Sequence, residues 1–429
     1  MLCSSIAVSV SWLVGTLGSA QQSESKPVSR EAPRAGAPAG PLGLTQASVL
    51  HTLARIMPPG VTPPRVLPPS VPLSRPPRPR KISNATMALN LPQGAWFGHS
   101  VAALGDLDGD GVRDLAVGAP GDGLGSVRVF FLNSDRSVRA HTRIDAPSST
   151  FSGSYGHAVC ALGDLNGDGA TDIAASNPVD CEVFVHFLRT DGTVLASVRI
   201  SDALEPPVFG GALDSYGEGL ASLGDVDADG VTDLVVACGV GSDGEDPRFY
   251  VMRLRTDGSV KGYARTSLGG TGLTCGALGD LDGDGIREFA MGNSIDRNIR
   301  TYFLRANGTV RMTRFLATAQ YSTPIVGVPD LFGSGQPGWA LGITATASGR
   351  GAYSLAALDA AGGVIPGSVV LVPGPEGRSD LLHPGDAFGS SLAYLGNLDG
   401  FGAVEVAVGA IGTDDGALSS GAVWIGAIR

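Results

Sequence analysis

The sequence predicts an all-β protein: a single β-propeller of six blades, each of four antiparallel strands, preceded by a disordered Pro-rich segment. Three observations carry this. Gly supplies 63 of 429 residues with no three-residue period, which indicates a turn-rich fold and excludes collagen. Hydrophobic residues make up 43% of the chain, enough for a real core. One phrase then returns six times after Trp96, and a repeat near 50 residues is the mark of a closed array.

The N-terminal part has a different character. Ile6–Leu17 is a short apolar stretch followed by Gly18-Ser19-Ala20, which suits a secretory signal peptide over 1–20 cleaved after Ala20. Residues 21–80 read as a basic, mostly disordered linker. Fourteen of the 28 Pro fall between Pro27 and Pro79, and Pro lacks the N–H that a strand ladder needs. A β-propeller is expected over 81–429, closed by an N-terminal strand at 81–91.

The repeats read FGHSVAALGDLDGDGVRDLAVGAP from Phe97, YGHAVCALGDLNGDGATDIAASNP from Tyr155 and YGEGLASLGDVDADGVTDLVVACG from Tyr216. Looser copies begin at Thr271, Ile325 and Phe388. Their loops start at Asp106, Asp164, Asp225, Asp280, Asp330 and Asn397, about 58 residues apart. In each, a first strand enters the acidic loop, a short Ala/Val run leaves it, and a hairpin follows. Asp191-Gly192, Asp257-Gly258 and Asn307-Gly308 mark the hairpin turns. The last repeat stops after Ala422–Ile428 and lacks an outer partner, which the strand near residue 81 would supply. Closure removes an exposed sheet edge. Seven blades is the alternative, but the widest gap, the 67 residues from Asp330 to Asn397, is too short to hide one.

The acidic loops read as calcium cages. Asp106, Asp108, Asp110 and Asp114 stand at positions 1, 3, 5 and 9, with the Val112 carbonyl available at position 7. The second loop offers Asp164, Asn166, Asp168, Ala170 and Asp172; the third Asp225, Asp227, Asp229, Val231 and Asp233; the fourth Asp280, Asp282, Asp284, Ile286 and Glu288. Hard oxygen donors at this spacing suit Ca²⁺, and the absence of His and Cys argues against zinc. An EF-hand would carry Glu at position 12, where the first loop has Val117. Four in-register copies predict about four structural Ca²⁺ ions. The fifth loop has Phe332, Ser334 and Gly338 at ligand positions and the sixth has Phe401, so no calcium is expected in either.

These repeats resemble FG-GAP repeats, the calcium-binding blades of the integrin α-chain propeller. Phe97-Gly98 and Gly118-Ala119-Pro120 are the two halves of that name in the first repeat, and the resemblance covers about residues 82–429. It implies a secreted or cell-surface propeller that binds a protein or glycan in adhesion, with calcium in a structural role. Integrin α-chains have seven blades and further domains, so their signalling is not implied. An extracellular hydrolase or polysaccharide lyase on the same scaffold is the alternative. Against it, no HExxH pair and no G-x-S-x-G occurs, and His99 and His157 recur at one repeat position, as a structural residue would.

The formal charge of −11 divides into +7 on residues 21–81 and −18 on residues 82–429, and 15 of the propeller's acids lie in the four cages. An acidic propeller is not expected to bind nucleic acid, and no apolar run is long enough to span a membrane. A monomer is expected. Cys160, Cys181, Cys238 and Cys275 allow two disulfides or four free thiols, and Asn84 and Asn307 head glycosylation sequons. The connections Gly211–Ser215 and Gly239–Arg248 are candidate ligand loops because long surface loops carry function.

Overall fold

The computed structural model describes residues 78–147, 153–201, 215–239, 247–268, 273–293, 298–318, 324–331, 337–344, 349–372, 374, 381–398, 400 and 404–428. The expected signal peptide and nearly all of the linker lie outside them, as do most of the two candidate ligand loops.

Six four-stranded antiparallel sheets form a β-propeller. Blade 1 is β2–β5 (Ser100–Gly105, Asp114–Ala119, Ser126–Leu132, Val138–Asp145), and blade 2 is β6–β9 (Val159–Gly163, Asp172–Asn177, Glu182–Leu188, Val194–Ser201). Blade 3 is β10–β13 (Tyr216–Gly224, Asp233–Cys238, Arg248–Leu254, Val260–Ser267), and blade 4 is β14–β17 (Leu273–Gly279, Glu288–Asn293, Asn298–Leu304, Val310–Thr318). Blade 5 is β18–β21 (Ile325–Val328, Gly338–Ile343, Ala352–Ala357, Val370–Val372). Blade 6 takes β22–β24 (Phe388–Gly396, Val404–Ala410, Ala422–Ile428) from the end of the chain and β1 (Arg80–Ser83) from the other end.

The closing strand is shorter than expected. β1 pairs with β24 from Arg80↔Ile425 to Ser83↔Ala422 and then stops. Residues 84–87 turn instead into one helical turn, α1 (Asn84–Met87), because Ser83 N donates to Thr86 Oγ1 (2.9 Å) and the two side chains cap it. Ala88 ends the turn in the left-handed region (φ 50°). Leu89 and Leu91 then bury as irregular chain rather than as strand.

Sequence dictates the inner-to-outer order of each blade. β3 (DLAVGA) is buried throughout, whereas β5 (VRAHTRID) is mostly exposed. Small residues therefore sit where blades crowd together and long polar ones face solvent. The apolar core is divided among six clusters, each between consecutive blades. Leu115, Val117 and Phe130 of blade 1, for example, pack with Ala407, Val423 and Ile425 of blade 6 and with Ile82.

The two halves of the repeat phrase meet across these seams. Gly118 of blade 1 faces Gly156, the glycine that opens blade 2: a Cβ on Gly118 would stand 2.0 Å from the Gly156 carbonyl oxygen. Gly342 meets Gly389 in the same way, and Gly409 meets Gly98 (2.1 Å), which joins the last blade to the first. Ser100 Oγ donates to the Gly156 carbonyl (2.9 Å) and Ser391 Oγ to the Gly98 carbonyl (2.6 Å). The glycine is required because a backbone carbonyl of the neighbouring blade occupies the side-chain position.

A register shift precedes the acidic loop in five blades, just before Gly105, Gly163, Gly224, Gly279 and Gly396, all with positive φ. This bulge turns the chain out of the sheet and aims the Asp that follows. Blade 5 has Pro329 at that place and pairs through Val328↔Gly338 without a shift.

Replacing Gly118 with Ala should therefore lower unfolding free energy by about 3 kcal/mol, the upper range for overpacking against backbone. Urea unfolding measures it. Gly109→Ala has no atom within 4 Å of its added methyl and serves as the comparison, carrying only the strain of its φ of 79°.

Candidate metal centres

Each loop is shaped by its own acids. The position-1 carboxylate accepts from the amide of position 6: Asp106 from Gly111 (2.8 Å), Asp164 from Gly169 (2.9 Å), Asp225 from Gly230 (2.7 Å) and Asp280 from Gly285 (2.9 Å). The position-5 carboxylate accepts from position 7: Asp110 from Val112, Asp168 from Ala170, Asp229 from Val231 and Asp284 from Ile286. Glycines at positions 4 and 6 hold positive φ, but Ala228 fills position 4 of the third loop at φ 60°.

Position 9 has a second task that spacing alone did not reveal. Asp114 Oδ2 accepts from Leu107 N (3.0 Å), and its Oδ1 accepts from Leu132 N (3.1 Å) at the far end of β4. Asp172 repeats this with Leu165 and Leu188, and Asp233 with Val226 and Leu254. One buried carboxylate thus ties the loop, the second strand and the third strand together. Glu288 is longer: Oε2 accepts from Leu281 N (2.7 Å), while Oε1 is buried without a hydrogen-bond partner. Glu405 keeps the bond to Leu398 N (2.7 Å) in the sixth loop.

Burial drives the ionisation of these groups upward, and neighbouring acids add to it. Asp114, Asp172 and Asp233 are raised to about 6 and Glu288 to about 7, although backbone donors pull the other way.

The structure brings the expected ligands together in three tight groups. Oxygens of Asp106, Asp108 and Asp114 lie within 4.8 Å of one another, as do those of Asp225, Asp227 and Asp229, and those of Asp280, Asp282 and Glu288. Asp110, Asp233 and Asp284 stand in the same loops but outside these triads. In the second loop Asn166 occupies position 3 and donates through Nδ2 to Asp168 Oδ2 (2.9 Å). Two buried oxygens, Asp108 Oδ1 and Glu288 Oε1, lack a partner. A divalent cation would supply one, so the donor set fits the ion that its chemistry implies.

Sequence reasoning missed three basic residues. Arg139, second in β5, donates to Asp108 and lies 3.0 Å from Asp110 Oδ2. Lys261, second in β13, lies 2.9 Å from Asp227 and also contacts Asp229. Arg311, second in β17, contacts Asp282 and lies 3.3 Å from Asp284. Hydrogen bonding to Asp108 raises the Arg139 guanidinium, and Asp282 does the same for Arg311. Their recurrence at one strand position was the available signal.

The remaining titratable candidates lie elsewhere. His99, His157 and Glu218 follow the opening glycine of blades 1 to 3 and line the central channel, whose volume is 1110 Å³. The imidazole centroids lie 4.4 Å apart with their planes tilted by 49°, and His157 Nε2 lies 3.3 Å from Glu218 Oε2. Burial, then the neighbouring His157, pushes His99 down to about 3. Cys160, Cys181 and Cys238 are buried and Cys275 is half-buried. Of the sequon residues, Asn84 uses both ends of its amide on Leu91, and Asn307 accepts from Thr309 within the hairpin turn.

Glu288 provides a pH test. Its ionisation rises on folding from an ordinary 4.5 to about 7, so the metal-free native state holds a proton that the unfolded chain has lost. Stability of the wild type then falls as pH climbs through that window. Glu288→Gln, which keeps an acceptor for Leu281 N, should gain stability relative to wild type between pH 4.5 and 7 and no more above it. Urea midpoints in EDTA across pH check this.

A family model described as an FG-GAP-like repeat matches residues 91–175 and 225–291. Integrin alpha-4 of Xenopus laevis is 29% identical over 151 residues, 33% of this chain and 14% of its own length. Integrin alpha-PS5 of Drosophila melanogaster is 36% identical over 134 residues, covering 29% and 13%. Human integrin alpha-IIb is 35% identical over 160 residues, covering 33% and 14%. The matched part therefore spans about a seventh of these relatives. Among solved structures, a luciferin-regenerating enzyme superposes with a TM-score of 0.47 at 12% identity, over 81% of this chain and 94% of its own; so loose a likeness carries no argument. The chain carries FG-GAP-like repeats, and they build a β-propeller that resembles the N-terminal propeller of integrin α-chains.

Proposed function

We propose that this protein is a secreted or cell-surface propeller that binds a protein or glycan ligand in adhesion, with Ca²⁺ held structurally in the loops of blades 1 to 4. The observation that carries the metal reading is the set of converging carboxylates with two buried oxygens left without partners. Asp106, Asp108, Asp110, Asp114 and the Val112 carbonyl would hold the first ion. The equivalent sets would be Asp164, Asn166, Asp168, Asp172 and Ala170; Asp225, Asp227, Asp229, Asp233 and Val231; and Asp280, Asp282, Asp284, Glu288 and Ile286. The adhesive reading rests on the likeness to integrin α-chains.

The chemistry supports a structural ion. Converging carboxylates repel one another, and a bound divalent cation turns that repulsion into a crosslink between strand, loop and strand. In blades 1 to 3 the position-9 acid would then join the ion to the backbone of the third strand. No helix among the described residues is long and apolar enough to cross a membrane. A role as hydrolase or lyase is the less favoured reading.

Calorimetric titration of the EDTA-stripped full chain should show about four calcium sites, one fewer in Asp110→Ala. Calcium should raise the melting temperature. An isotherm without heat and an unchanged melting curve would overturn the metal reading. The adhesive reading is tested by capture: immobilised full-length chain should retain a surface or matrix ligand in calcium and release it in EDTA, and retention equal in both would count against it.

A further inference from the structure

The four acidic loops differ in a correlated pair of residues. Where position 3 is Asp, the second residue of the outer strand is basic: Asp108 with Arg139, Asp227 with Lys261, Asp282 with Arg311. Where position 3 is Asn166, the same strand position is Leu195, which is half exposed. Counting only the ligand positions and this strand position, four acids with one base, or three acids with none, both leave a side-chain charge of −3. Arg253 lies farther out, 3.8 Å from Asp227.

The basic groups are also positioned. Arg139 lies over the Phe131 ring at 5.8 Å and Arg311 over Phe303 at 5.7 Å, so each guanidinium is held between an aromatic face and two carboxylates. Each bridges the acids at positions 3 and 5, which a bound divalent ion would also bridge. In blade 2 the corresponding contact to Asp168 comes from the neutral Asn166 amide.

We propose that Arg139, Lys261 and Arg311 are tethered stand-in cations. They hold three of the four acidic loops together when calcium is scarce and compete with it when it is plentiful. The blade 2 loop, with Asn166 and Leu195, is the one whose order depends on an external cation. The competition half rests on the calcium reading above; the stand-in half does not.

Ion pairs as exposed as these are weak, so each is expected to move a binding constant by roughly fivefold at most. The experiment uses the full chain and calcium alone as the probe. In EDTA, the triple variant R139L/K261L/R311L should melt well below wild type, and L195R at or above it. In calorimetry, the triple variant should bind calcium about fivefold more tightly at three sites, and L195R about fivefold more weakly at one. On calcium addition to wild type, amide exchange should slow most in residues 164–172. A triple variant that melts like wild type in EDTA overturns the stand-in role. Calcium affinities that do not move overturn the competition. Failure of the wild type and every variant to bind calcium would sink the competition and the calcium reading together, while the EDTA melting comparison still decides the stand-in role by itself.

Discussion

The structure depends on a buried carboxylate that has no freedom to leave. At the start of the second strand in blades 1 to 3, Asp114, Asp172 and Asp233 each accept one amide from the loop and one from the third strand. Water is excluded, so each oxygen must be satisfied internally. The bonds fix the loop's path, and the loop's path brings the other acids together. Strand geometry and loop shape thus share one residue in each of these three blades. Glu288 shows the limit of this economy: the extra methylene keeps one bond and leaves the other oxygen unpaired.

Much of this was legible in the chain. Repeat spacing specifies the number of blades, because each return of the phrase marks one sheet. The missing partner of Ala422–Ile428 specifies where the ring closes. The extent of the closing strand was not legible. Ser83 and Thr86 form a local cap that competes with the ladder, and side chain–backbone bonding of that kind leaves no periodicity. The cage acids were readable because they lie within nine residues of one another. Arg139, Lys261 and Arg311 were not, since each joins its cage from 29 to 34 residues away. The Gly118–Gly156 contact was equally hidden, since a missing side chain shows its purpose only once the neighbouring carbonyl is in place.

The repeats are unequal in ways that follow from single residues. Pro329 replaces the glycine that lets the chain bulge out of the sheet, and β18 runs into its loop without a register shift. In the sixth loop Asn397 Oδ1 accepts from Gly400 N (2.7 Å), and Glu405 keeps the bond to Leu398 N (2.7 Å).

The composite sixth blade has a mechanical consequence. Tension applied to the chain ahead of Arg80 enters the ring through β1, a strand of four residues, before it reaches any other sheet. That latch is reinforced from the side. Lys81 Nζ lies 2.5 Å from Asp415 and 5.1 Å from the Trp424 ring, Ser83 Oγ donates to Asp415 (2.7 Å), and Arg80 reaches Asp135 of blade 1 (2.8 Å). Pulling on that end would therefore be resisted by one short ladder and a few side chains beside it, and rupture there would bare the outer edge of β24 while blades 6 and 1 stay packed along their inner strands.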